Sequence, residues 1–184
     1  MQLKNTNNGY GVTAILVHWV FAVTFIALFS VGIYMVELTY YDPLYKTLPD
    51  LHRSAGIILL ALLFFRFAWK LVNPHPDPEP NLKRHEILGA EIVHWLLYLL
   101  PLAIMVSGYL ITTADGSSID VFGLFEVPAI LPAQKGREEI AGDIHFYLAY
   151  ATIGLAALHA LAALKHHFID RDKTLTRMFK TINE

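Results

Sequence analysis

The sequence predicts an all-α protein, a bundle of four transmembrane helices with both termini in the cytoplasm. Three observations predict it. Of 184 residues, 55% are hydrophobic and 16% charged, with mean hydropathy +0.44, whereas a soluble domain carries about a quarter charged residues. Four apolar runs each reach the roughly 20 residues that a bilayer-spanning helix needs. Lys and Arg divide unevenly between the two sets of helix ends, which sets orientation.

The first helix is expected over about 12–36, a run without a charged residue. It is too long for a signal h-region and lacks a small-residue cleavage site, so it reads as retained. The second is expected over about 52–72, with Arg53, Arg66 and Lys70 towards its ends. After it comes NPHPDPEPNLKRH, whose four prolines forbid helix and mark an exposed connection. The third is expected over about 86–113, with Glu86 and Glu91 near its start, and the fourth over about 142–167. Residues 114–141 form a long connection containing IDVFGLFEVPAILP, apolar enough to pack down as a lid or rest in the membrane interface. The whole chain, 1–184, reads as one membrane-embedded domain.

Ten basic residues flank one side: Lys4, Arg66, Lys70, Lys83, Arg84, Lys165, Arg171, Lys173, Arg177 and Lys180. Only Lys46, Arg53, Lys135 and Arg137 flank the other, which places both termini inside. The absence of cysteine excludes disulfides, thiolate iron–sulfur clusters and cysteine-ligated zinc. The net charge of −2 carries no signal, and no basic cluster points to nucleic acid.

The histidines carry the chemistry. His145 and His159 lie 14 residues apart in one apolar run, about four helical turns and a rise of roughly 21 Å. They fall near one face at two depths. The predicted topology puts His18 in the inner half with His159, and His52 in the outer half with His145. A lone membrane histidine is as often a hydrogen-bonding group between helices, and zinc gathers its ligands around one ion. Two pairs at two depths suit two six-coordinate haem b groups, with these four histidines as iron ligands. Gly32 lies 14 residues after His18, and Gly56 one turn after His52; each would give a macrocycle room, although glycine is also common in membrane helix packing. Arg66 lies 14 residues after His52, placed to pair with a propionate of the inner haem.

VHW at Val17–Trp19, LHRSAGI at Leu51–Ile57, RFAWKL at Arg66–Leu71, GYLITTADG at Gly108–Gly116 and ALKHHFIDRDKTLTRM at Ala163–Met178 together resemble the bacterial cytochrome b561 family over nearly the whole chain. The resemblance implies a multi-pass, di-haem electron carrier of the bacterial inner membrane that exchanges electrons with ubiquinone. Some such proteins are superoxide:ubiquinone oxidoreductases, and a related subgroup is associated with a periplasmic polyisoprenoid-binding protein. The family is also similar in plan to cytochrome b anchors, so the alternative is an anchor passing electrons between the quinone pool and a periplasmic protein.

For a quinone, His94, Lys165, His166 and His167 lie at the inner depth where donors to its carbonyl oxygens are needed. The plain alternative for the last three is contact with lipid headgroups or with the helix C-terminus. For superoxide, Arg53, beside His52, is best placed to attract the anion, with Lys46, Lys135 and Arg137 in support. Nine acids on the same outer connections and their flanks outweigh these four bases, leaving a balance of −5 that opposes entry.

Overall fold

The computed structural model describes residues 2–181. Four helices dominate it: α1 (Val12–Met35), α2 (Thr47–Val72), α3 (Arg84–Thr112) and α4 (Arg137–Lys165). All four are long and apolar enough to cross a membrane, α4 together with the turn that follows it. α2 and α4 begin well before their apolar runs. Pro49 and Asp50 in α2, and Glu138 and Glu139 in α4, occupy first turns, where proline is tolerated and acids complement the helix dipole. His52 therefore sits in the second turn of α2 and His145 in the third turn of α4. Pro101 lies buried inside α3 without ending it, as proline can in a membrane helix.

Between α3 and α4 a short antiparallel hairpin forms, β1 (Ile119–Val121) with β2 (Phe125–Val127), in the register Asp120 opposite Glu126. Its turn takes Phe122 and Gly123 to positive φ, 54° and 69°. That conformation is easy for glycine and uncommon for phenylalanine. After α4 a π-helical turn, His166–Asp170, ends on Arg171 in the left-handed region.

The chain divides into two compact units, and each helix contributes a stretch to both. The hairpin unit comprises Val23–Ala61 and Leu100–Ala151. Its buried side chains include Leu59, Ile104, Ile119 and the fully buried Val121. The Ser54 hydroxyl donates to the Asp120 carbonyl and accepts from the Phe122 amide, each at 3.2 Å, so the apolar connection does pack down onto α2.

The terminal unit comprises Met1–Ala22, Leu62–Leu99 and Thr152–Glu184. It buries Phe21 and Leu63 and is laced by polar contacts between distant segments. The Trp19 indole donates to the Met178 carbonyl at 2.7 Å, and the Asp77 amide donates to the Asn7 carbonyl at 2.8 Å. Arg177 pairs with Glu79 at 2.8 Å and donates to the Asp77 carbonyl at 2.7 Å. The proline-rich connection is thus stitched to both chain ends. Burial pushes the Tyr10 hydroxyl above its ordinary range, against the opposing pull of Arg177, which keeps the phenol neutral. Large apolar side chains such as Leu16, Val23, Phe64, Leu99 and Leu158 stay exposed along the helices, as on surfaces that contact lipid.

Candidate functional site

In the hairpin unit the rings of His52 and His145 meet edge-on, with centroids 6.2 Å apart and planes at 68°. A metal between two imidazoles needs about 2 Å per metal–nitrogen bond. Adding roughly 1 Å from each ring nitrogen to its centre, the rings should stand about 6 Å apart. The spacing fits a shared iron.

The proton positions fit as well. His145 Nδ1 lies 2.8 Å from the Ile104 carbonyl. A carbonyl only accepts, so Nδ1 carries the hydrogen and the Nε2 lone pair is free for a metal. Two glycines allow the rings their places. A Cβ on Gly32 would meet His52 Cε1 at 3.4 Å, and one on Gly108 would meet His145 Cε1 and Nδ1 at 3.1 and 3.2 Å. Gly32 therefore makes room for the histidine ring itself. Gly56 has open space beside it, the clearance a macrocycle edge requires.

The terminal unit is arranged differently. An Arg66 guanidinium nitrogen lies 2.9 Å from His18 Nδ1. Arginine has no acceptor, so Nδ1 here accepts and the neutral ring keeps its proton on Nε2. Arg66 also stacks over Tyr98 at 5.0 Å and Phe21 at 5.7 Å. His159 lies ring to ring with His94 at 5.3 Å, short of the roughly 6 Å that an intervening metal needs. Lys70 sits over Trp95 at 4.5 Å and Tyr98 at 5.3 Å. The terminal unit thus gathers His18, Arg66, His94 and His159 together with a second cation.

Among the residues expected at a quinone, Lys165 and His166 come together and His94 stands with His159 instead. Lys165 bridges Glu86 at 3.1 Å and Asp170 at 2.6 Å. His166 Nδ1 lies 2.8 Å from Asp170 and 3.1 Å from Asp172. His167 packs its ring on neighbouring Phe168. The π-helical turn brings Asp170 back to Lys165 and His166.

The four bases expected to attract an anion have different surroundings. Lys46 is exposed in the turn before α2, and Arg53 forms an ion pair with Asp50 one turn back. Arg137 donates to the Pro132 carbonyl at 2.7 Å and the Gln134 side chain at 3.2 Å. Lys135 lines an open cleft with Asp115 and Glu138. Hydrogen bonds from Ser117 hold the Asp115 carboxyl below the usual range, so that cleft keeps its negative charge.

Sequence reasoning missed Ile104, Ser107 and Gly108 on α3, the side chains and carbonyl that surround His145. GYLITTADG, which begins at Gly108, was the available signal. It also missed Glu86, Asp170 and Asp172 as the carboxylates facing Lys165 and His166.

Comparison with known proteins gives a consistent answer. The family model described as prokaryotic cytochrome b561 matches residues 9–181. Cytochrome b561 homolog 2 of Escherichia coli (strain K12) is 45% identical over 178 residues, 97% of this chain and 95% of that protein. A probable superoxide oxidase, CybB, of Yersinia pestis is 33% identical over 174 residues, 92% of this chain and 94% of its own length. Cytochrome b561 homolog 1 of Escherichia coli (strain K12) is 30% identical over 175 residues, 93% and 97% of the two chains. With its four apolar helices, the chain belongs to the prokaryotic cytochrome b561 family, multi-pass bacterial membrane proteins that use b-type haem for transmembrane electron transfer.

Proposed function

We infer that this chain moves electrons through two b-type haems across the bacterial inner membrane, oxidising superoxide at the periplasmic face and reducing ubiquinone near the cytoplasmic face. His52 and His145 hold the outer haem, and His18 and His159 the inner. The 6.2 Å spacing of His52 and His145 is the observation that carries this reading. Bound haem supplies a one-electron iron couple. The stoichiometry is two superoxide, one quinone and two protons giving two dioxygen and one quinol.

The chain's own residues do the rest. The Ile104 carbonyl fixes the His145 tautomer. For His18 to offer its Nε2 lone pair as a neutral ligand, the proton must sit on Nδ1, which then no longer accepts from Arg66. That exchange releases the guanidinium for an anion, the propionate role assigned to Arg66. Gly32 leaves room for the His52 ring, and Gly56 leaves space beside the outer haem. On the cytoplasmic side, Lys165 and His166, with His94 and His167 as further donors, serve the quinone. The carboxylates of Glu86, Asp170 and Asp172 supply a proton route to water.

The superoxide assignment draws on the name of the Yersinia pestis relative. A second reading has its own support, since the outer connections carry a balance of −5 and Arg53 is already paired with Asp50. An acidic face repels superoxide and suits a basic periplasmic protein, for which the chain is the membrane anchor.

Anaerobic stopped-flow reduction by a superoxide source, with and without ubiquinone, decides between them. Rapid haem reduction followed by quinone-dependent reoxidation is expected. No reduction by superoxide would shift the assignment to the partner-dependent carrier.

A further inference from the structure

We propose that Ser107 and Gly108 of α3 are positioning residues for His145, setting its ring orientation and basicity through the Ile104 carbonyl. The proposal rests on His145 being a haem ligand. α3 carries none of the four ligand histidines, yet it makes polar contacts to this ring. The Ile104 carbonyl lies 2.8 Å from His145 Nδ1 and also accepts from the Ser107 hydroxyl at 2.8 Å. The hydroxyl oxygen itself stands 3.3 Å from the same Nδ1. Ser107 is 3% exposed, so water does not replace its hydroxyl readily.

Donors that meet on one carbonyl share its electron density. Without the hydroxyl, that carbonyl would be shared only between His145 and the Gly108 amide of its own helix, and would polarise Nδ1–H more strongly. A more polarised N–H makes the ring a better electron donor to iron and favours the oxidised metal. The 3.3 Å contact opposes this only weakly, being longer than an ordinary hydrogen bond. Ser107 therefore holds the potential of the outer haem up. Gly108 acts by shape. A Cβ there would stand 3.1 and 3.2 Å from His145 Cε1 and Nδ1, and relieving that crowding moves the ring away from Ile104.

The test compares Ser107→Thr with Ser107→Val, two side chains of nearly equal shape that differ in the hydroxyl. Redox titration and low-temperature EPR of the purified haem-loaded protein read each haem separately, and the untouched haem reports that the chain is folded. A lower outer-haem midpoint in the Val variant than in Thr, with the inner midpoint unchanged, is expected. Gly108→Ala should alter the outer-haem EPR signal or lower its occupancy. Equal midpoints in Thr and Val, or an unaltered signal in Gly108→Ala, overturns the corresponding residue's role. His145→Ala separates the two levels. If it removes one haem, the ligand reading stands whatever Ser107 does; if both haems remain, that reading fails and this proposal falls with it.

Discussion

In the hairpin unit two histidine rings meet edge-on at 6.2 Å, and a backbone carbonyl fixes the proton of one. In the terminal unit a guanidinium engages His18, and His159 packs against a third histidine at 5.3 Å. The first arrangement has few ways to be wrong: two rings, one spacing and one tautomer agree. The second holds three histidines and two cations, so ligand choice there depends on where a proton and a guanidinium go. Buried polar groups with several available partners specify geometry only when all are satisfied together.

The largest effect should come from removing ligands, and it tests whether the two units work separately. His52→Ala and His145→Ala should each lower haem content from two to one per chain by pyridine haemochrome, losing the same haem. His18→Ala and His159→Ala should both lose the other. Loss of different haems within either pair would break the pairing, and loss of both haems from a folded protein would end the independence of the units.

Next, His94→Ala sharpens what the crowding in the terminal unit means. Haem content should stay at two while quinone reduction falls about tenfold, as for one lost hydrogen bond of about 1.4 kcal/mol. A missing haem in this variant would make His94 a ligand in place of His18.

Arg66→Ala should then lower the inner-haem midpoint, because a nearby cation favours the added electron. The expected size is about 1.5–3 kcal/mol, the range for hydrogen bonds to charged groups. Redox titration checks it; an unchanged midpoint with full occupancy would leave Arg66 a snorkelling residue.

The smallest effect belongs to Arg53→Glu. Its charge is already paired with Asp50 on an exposed surface, so superoxide-driven reduction should slow by no more than about threefold, and added salt should have a similarly small effect. A drop of orders of magnitude would mean that Arg53 touches the anion directly.

Much of the plan was legible because helix periodicity and depth are one-dimensional properties. Counting turns from the two sides of the membrane paired His52 with His145, and the rings do meet. The same counting placed Arg66 at the level of His18, and it lies there, but register does not say which acceptor a guanidinium selects. Helix starts were misjudged at α2 and α4 because apolar runs mark the part of a helix that lipid demands. The polar first turns around Pro49 and Glu138 obey capping and dipole rules instead. Ile104, Ser107 and Gly108 stayed hidden for another reason. Ile104 meets His145 across 41 positions, and a backbone carbonyl has no signature in sequence. The π-helical turn that returns Asp170 to Lys165 was equally unreadable from apolar periodicity.

The Ser54 hydroxyl, held between the Asp120 carbonyl and the Phe122 amide, has a consequence for biogenesis. Ser54 leaves the ribosome 66 positions ahead of Asp120, so the clasp cannot close until α3 has been synthesised. Closure of that contact marks the moment when α2 and the later hairpin are both in place. A chain stalled or truncated before Asp120 leaves the serine to bond its own helix or a passing water. Ser54→Ala would leave the mature hairpin short of two hydrogen bonds, and the newborn chain without a late signal that its halves have met.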